Sequence, residues 1–152
     1  MSKLNATHVA QKVMSAEFTW NFNDTMVATD GVEYALGADT SSDIITNIKS
    51  FDVIKLPVNA IVVGGAVTAR TTFDTAGYDI TVGDSGTGDR YLTSTDMKTA
   101  GTAVLVPTGF KNSSGLAIRI SLVTDDACTA GVGHLRVDYI IDGRADEVSA
   151  HP

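Results

Sequence analysis

The segment Gly83-Asp84-Ser85-Gly86-Thr87-Gly88-Asp89 is where the residue types come nearest to chemistry. Its first four letters match the surroundings of a serine-protease nucleophile. Such a serine needs a histidine to take its proton and an acid to orient that histidine. The histidines are His8, His134 and His151, and they fall in an N-terminal arm, a strand pattern and a tail. Thr87 stands where the motif has a further glycine, so a tight turn explains the segment better than a nucleophile does. Asp84, Ser85 and Asp89, with Asp79 nearby, offer oxygen ligands that suit calcium, but their spacing fits no EF-hand frame. The segment also lacks the Lys-Ser/Thr ending of a phosphate cradle.

The remaining candidates are weaker. Cys128 is the single cysteine, so no intrachain disulfide forms, and no base is paired to it in a recognisable pattern. Three scattered histidines and one cysteine do not make a zinc ligand set. Asp74-Thr75-Ala76 departs from the Asp-Thr-Gly of aspartic proteases. The expectation is a protein without catalytic residues, cofactor or metal. His134 is expected on the solvent face of its strand, beside Arg136 and Asp138.

The elements that must hold these residues read as strands. In the last one, His134, Arg136 and Asp138 alternate with Leu135, Val137, Tyr139 and Ile141, a period of two with one face in a core. Phe18, Trp20 and Phe22 alternate with Glu17, Thr19 and Asn21, giving a strand with a heavy aromatic face. Thr25 to Thr29 forms a second short strand before the Asp30–Gly31 turn, and Val32 to Ser42 reads as exposed loop. Phe51 to Leu56 is stopped by Pro57, which has no N–H for a ladder. Ile61 to Phe73 is the longest strand, with Gly64–Gly65 marking a bulge. Asp74 to Gly77 is expected to close a hairpin into Tyr78, Ile80 and Val82. Ser94 to Ala100 is expected to make one helical turn capped by Ser94, and strands follow at Thr102–Val106 and Leu116–Val123.

Seven or eight strands spaced about eight to twelve residues apart predict an all-β fold, an antiparallel β-sandwich of jelly-roll type. The expected organisation is an N-terminal arm over 1–15, the sandwich over 16–147 and a polar tail over 148–152. A chain of 152 residues forms one domain that buries roughly 70% of the surface its unfolded form exposes. Eleven basic against eighteen acidic residues give a formal charge of −7 with no Lys/Arg stripe, which argues against nucleic acid as a partner. No secretory leader pattern opens the sequence, and Ile61-Val62-Val63 is far too short a run to span a bilayer, so synthesis in a cytoplasm and no membrane partner are expected.

Several stretches carry a family resemblance. Phe18-Thr-Trp-Asn-Phe-Asn-Asp-Thr-Met26, Phe51-Asp-Val-Ile-Lys-Leu-Pro57 and the strand through Gly64–Gly65 resemble small structural proteins of tailed-phage heads. So do Gly83-Asp-Ser-Gly-Thr-Gly-Asp-Arg-Tyr-Leu92, Thr95-Asp-Met-Lys-Thr-Ala-Gly101 and Val137-Asp-Tyr-Ile-Ile-Asp-Gly-Arg-Ala-Asp-Glu147. The resemblance covers about residues 16–147 and implies a decoration or cement protein of the virion. Such a protein sits on the capsid exterior, bound to the major capsid protein, and is a homo-oligomer, most often a trimer. It implies no catalytic residues. Leu4, Val9 and Val13 in the arm are the candidate attachment residues toward capsid or neighbouring subunit. The competing reading is a receptor- or carbohydrate-binding module of a phage tail. That reading needs exposed aromatics, for which Tyr34, Tyr91 and Phe110 are the candidates.

Overall fold

The computed structural model describes residues 11–41 and 48–143, and among them every regular element is a strand. In chain order these are β1 (Met14–Asn21), β2 (Thr25–Val27), β3 (Glu33–Ala35), β4 (Lys49–Lys55), β5 (Ala60–Thr71), β6 (Tyr78–Asp84), β7 (Leu92–Asp96), β8 (Gly101–Val104), β9 (Lys111–Asn112), β10 (Ala117–Thr124) and β11 (Val132–Ile141). One sheet runs β1-β11-β5-β8, with β9 also on β5. The other runs β4-β10-β6-β7, and β2-β3 is a separate hairpin. All pairs are antiparallel.

The pairing is nested. β1 lies against β11, β4 against β10, β5 against β8 and β6 against β7. The chain is therefore one long doubled ribbon whose innermost turn joins β6 to β7. Rolling that ribbon up adds the β11–β5 and β10–β6 ladders. This is the jelly roll, a sandwich that keeps its sheet edges short.

The alternating apolar residues meet between the sheets. Trp20, Val67 and Leu135 from one sheet and Phe51, Tyr78, Ile80, Val82, Ile118, Ile120 and Leu122 from the other are all fully buried. Each such side chain contributes about 1.5–3 kcal/mol by leaving water. Tyr78 stacks on Phe73 with ring centres 3.8 Å apart. Its hydroxyl accepts from Trp20 Nε1 at 3.1 Å and donates to the Leu36 carbonyl at 2.7 Å. Burial, outweighing the opposing hydrogen bond from Trp20, pushes its pKa well above the ordinary phenol range, so it stays a neutral donor. Trp20 fits because Gly133 lies opposite it; a Cβ there would stand 2.2 Å from the indole. At Gly65, φ is +131° and a Cβ would stand 2.1 Å from the Arg136 carbonyl oxygen. The expected bulge is next to it: Asp138 faces Gly64 and Tyr139 faces Val62, leaving Val63 unmatched.

Several local expectations are corrected. Asp74–Gly77 does not close a hairpin, because β5 and β6 lie in different sheets and the segment crosses between them. Its Asp74 carboxylate instead accepts from the amides of Thr129 (2.6 Å) and Ala130 (2.8 Å), fastening the crossover to the β10–β11 connection. Ser94–Ala100 holds no helical turn; Leu92–Asp96 is a strand, because the ladder to β6 outweighs a local cap. The expected loop Val32–Ser42, described as far as Ser41, is not simply exposed. Glu33–Ala35 pairs with β2, Leu36 is buried, and Thr40 exchanges hydrogen bonds with Thr124 at the end of β10. Alternation is invisible in so short a strand, and it is the tertiary contacts that fix it.

Candidate interaction surfaces

The Gly83–Asp89 loop is the tip of the rolled ribbon. The Asp84 side chain is 2% exposed. One of its oxygens accepts from the amides of Gly86 (2.8 Å) and Thr87 (2.9 Å), while Arg90 Nε donates to the other at 2.6 Å. Burial pushes the Asp84 pKa up. The Arg90 guanidinium and the two amides outweigh burial and hold the carboxyl below its ordinary range. Arg90 in turn stacks on the Phe110 ring at 3.5 Å. The cation that completes this loop is therefore a guanidinium of the chain itself. Asp79 lies at the far end of β6, about 17 Å away at 3.4 Å per residue, so the imagined calcium set does not converge. Among the described residues, no group of three or more His, Cys, Asp or Glu side chains is placed to hold a metal ion.

His134 shares the outer face of its sheet with Arg136 and Asp138, as the alternation requires, yet it is only 9% exposed. The expectation of a solvent-facing histidine is corrected. β11 is a central strand, and Thr19 and Thr68 flank His134 on either side. Thr19 Oγ1 shares a hydrogen bond with its Nδ1 at 2.7 Å, and Glu17 lies 3.7 Å from Nε2. Ser85 is on the tip of the other sheet's ribbon, and no proton relay joins it to His134. His8 and His151 lie outside the described residues. Cys128 is buried, and burial, reinforced by the Asp74 charge, pushes its thiol up to about 11. It is protonated and inert at neutral pH.

The aromatics proposed for sugar contact are occupied or hidden. Tyr91 is 3% exposed, because its amide and carbonyl are both bonded, to Val82 and Val106, where the tip folds back on the sandwich. The Tyr34 ring carries Lys49 Nζ at 4.4 Å, and the Phe110 ring carries Arg90.

Among the described residues, the large apolar side chains left outward are valines and Ile48. Val104 is 69% exposed and Val106 64%, with Leu105 between them fully buried. This valine pair on the β8 edge had no signal in the sequence beyond the Thr102–Val106 alternation, whose outer side reads as ordinary strand surface. Of the attachment candidates, Val13 is exposed, and Leu4 and Val9 lie outside the described residues. Gln11, two residues before Val13, exchanges two hydrogen bonds with the Ile141 backbone, its Nε2 donating to the carbonyl at 2.7 Å and its Oε1 accepting from the amide. The root of the N-terminal segment is thus fastened to the end of β11.

A jelly roll with a polar-lined tip and an apolar edge is a scaffold that presents faces. Comparisons with known proteins follow that description. No family model matches the chain, and neither does any curated protein. Among solved structures, it is similar to a chain of the cyanophage Pam1 capsid asymmetric unit, at TM-score 0.59 and 21% identity over 92% of this chain and 94% of that one. A chain of the acidic stable capsid of Helicobacter pylori bacteriophage KHP30 superposes at TM-score 0.57 and 14% identity, covering 87% and 90%. A chain of the capsid of Ralstonia phage GP4 follows at TM-score 0.50 and 11% identity, covering 95% and 93%. At these identities the likeness is one of fold, and it extends over nearly the whole length of both partners.

Proposed function

We propose that this chain is a non-enzymatic structural protein of a phage virion, a decoration or cement protein that seats on the capsid exterior against the major capsid protein. The observation that carries the reading is the jelly roll it has in common, end to end, with chains of three phage capsids. The chemistry of the surface supports it. The buried side-chain nitrogens and oxygens among the described residues all have partners, so none is held in reserve for a substrate. A chain of formal charge −7 suits an outer surface better than one facing packaged DNA.

Such a protein stabilises by burying surface across the boundary between capsid subunits, so that separating the boundary must also break its contacts. Copies joined as a homo-oligomer, a trimer in this reading, bind at a high effective concentration, and modest contacts per copy then suffice. The arm over 1–15, with Leu4, Val9 and Val13, is assigned to attachment. The covered rings of Tyr34 and Phe110 and the buried Tyr91 weigh against the tail carbohydrate-binding alternative.

Co-sedimentation with empty capsids tests the proposal. Saturable binding, with cryo-electron density on the capsid exterior at positions shared between subunits, is the expected result. Density on the tail, or a monomer that ignores capsids, overturns it.

A further inference from the structure

β8 is the unusual edge of this molecule. Of the outer strands of the two large sheets, β1 carries Glu17, β4 carries Lys49, Asp52 and Lys55, and β7 carries Asp96. Charges on an edge discourage another strand from adding to it. β8, Gly101–Val104, carries none, and the uncharged stretch continues from Thr99 to Phe110. Among the described residues, no strand pairs with its backbone on the outer side. The Leu105 amide donates to Gly65 of β5, so by the two-residue alternation of an antiparallel ladder the amides and carbonyls of Thr102 and Val104 point away from β5. Val106 confirms that direction, since its amide turns outward to reach the Tyr91 carbonyl. An uncharged edge with free backbone groups and a 69% exposed valine is a template for one more strand.

We infer that this edge accepts residues 4–10 of a neighbouring copy as an added β-strand, so that copies join donor to acceptor around a closed ring. The inference rests on the homo-oligomeric part of the function proposed above. The choice of occupant comes from sequence and reach. Leu4-Asn-Ala-Thr-His-Val-Ala10 has no Asp, Glu, Lys, Arg or Pro and matches the uncharged edge, whereas Arg144 to Pro152 carries Arg144, Asp146, Glu147 and a terminal proline.

Donation to the same molecule's edge is poor in geometry. The segment leaves from Gln11 at Ile141, six residues along β11 from Leu135, which faces Val67 and through it Ala103. Six residues and two strand spacings put the acceptor about 22 Å away, a span that takes about seven extended residues, so residues 4–10 of the same molecule would be spent on the crossing rather than on pairing. A neighbour whose β8 stands beside the root can take the whole segment. Root and acceptor lie toward opposite edges of one sheet, so the contact is head-to-tail, and such contacts generate rings when the rotation closes.

Light scattering on four samples tests this. The wild-type chain is expected at three chain masses. The chain lacking residues 2–10 and the Val104→Lys chain are each expected at one. Mixed together, the first supplies a free edge and the second a free segment, so a two-chain species should appear that neither forms alone. Thr102→Lys, at the neighbouring outward position, is expected to behave as Val104→Lys does, and whichever still melts cooperatively as a folded chain is the one scored. An edge variant that keeps the wild-type mass, or a mixture that stays at one chain, overturns the inference. Capsid binding is read separately. Wild-type rings that exchange strands but ignore capsids would remove the capsid function alone; wild-type chains that bind capsids while edge variants keep full mass would remove the exchange alone.

Discussion

The tip of the roll and the β8 edge meet at the short stretch Leu105–Val106, which bonds to Gly65 on one side and to Tyr91 on the other, and they handle backbone polarity in opposite ways. At the tip, amides that the turn between β6 and β7 removes from the ladder are taken up by one buried carboxylate, Asp84, itself neutralised by Arg90. At the edge, the outward groups of Thr102 and Val104 have no charged side chain to guard them. Where the ribbon must turn on itself the chain closes its own hydrogen bonds, and where copies are proposed to meet it leaves them open. The difference sets a tip that closes on itself for folding against an edge proposed for assembly, although in sequence the Asp/Gly-rich tip looks the more functional of the two.

The largest effect should come from the tip. Asp84→Ala leaves Arg90 without its carboxylate and two loop amides without an acceptor. Removing one partner of a buried pair costs about 3 kcal/mol or somewhat more. For a chain of this size that lowers the melting temperature by about 10 °C, measurable by calorimetry. The loss should depend on pH. The folded Asp84 carboxyl is held below its ordinary range, so its contribution is fully present above the unfolded value of about 4 and fades as pH falls through the lower folded value. A difference between wild type and variant that did not shrink at acid pH would show that Asp84 acts through packing rather than charge.

A smaller effect isolates the stacking. Phe110→Ala removes the ring under Arg90 while leaving the ion pair in place, and should cost about 1 kcal/mol. A cost equal to that of Asp84→Ala would mean that the ring, rather than the carboxylate, organises the tip.

These contrasts show what the sequence could and could not reveal. The sandwich was legible because its long strands alternate cleanly: Leu116 to Val123 and His134 to Ile141 each announce one buried face. The Gly64–Gly65 bulge and the Trp20 core face were legible for the same local reasons. β7 was not, because Leu-Thr-Ser-Thr-Asp has one apolar residue and becomes a strand only through β6. The Asp74–Gly77 crossover was misread as a hairpin, since turn residues mark a turn without saying which sheet the chain enters next. His134 was assigned to the correct face with the wrong exposure, because a period of two reports direction while burial depends on the neighbours across the ladder. The β8 edge was silent, as an open edge is a property of which strands fail to pair.

On the edge itself, the effect on folding should be close to nil. Within a single chain Val104 buries little, so Val104→Lys should change the stability of the dissociated monomer by no more than about 0.5 kcal/mol. Chemical denaturation at concentrations below self-association measures it. A large loss there would mean that the valine packs on its own molecule, and the edge would then resemble the tip.

The finest test compares the two acids of β6. Asp79 sits at the other end of the strand from Asp84, directly opposite Asp96, and its pKa moves the other way. Burial raises it, and the charges of Asp96 and Asp125 raise it further. A carboxyl whose folded pKa is raised is penalised when ionised, so at pH 7 it subtracts from stability, and the penalty is relieved as pH falls through the raised value toward the ordinary range near 4. Asp79→Asn should therefore stabilise the chain at pH 7 by up to about 0.5 kcal/mol, the scale of partly exposed charge pairs. The gain should vanish below about pH 4, where the wild-type carboxyl is itself neutral. Melting curves of the two chains should thus converge toward acid, as those of Asp84→Ala and wild type do, but from the opposite side. A gain that persisted at acid pH would assign the effect to the amide's hydrogen bonding and not to repulsion among the three acids.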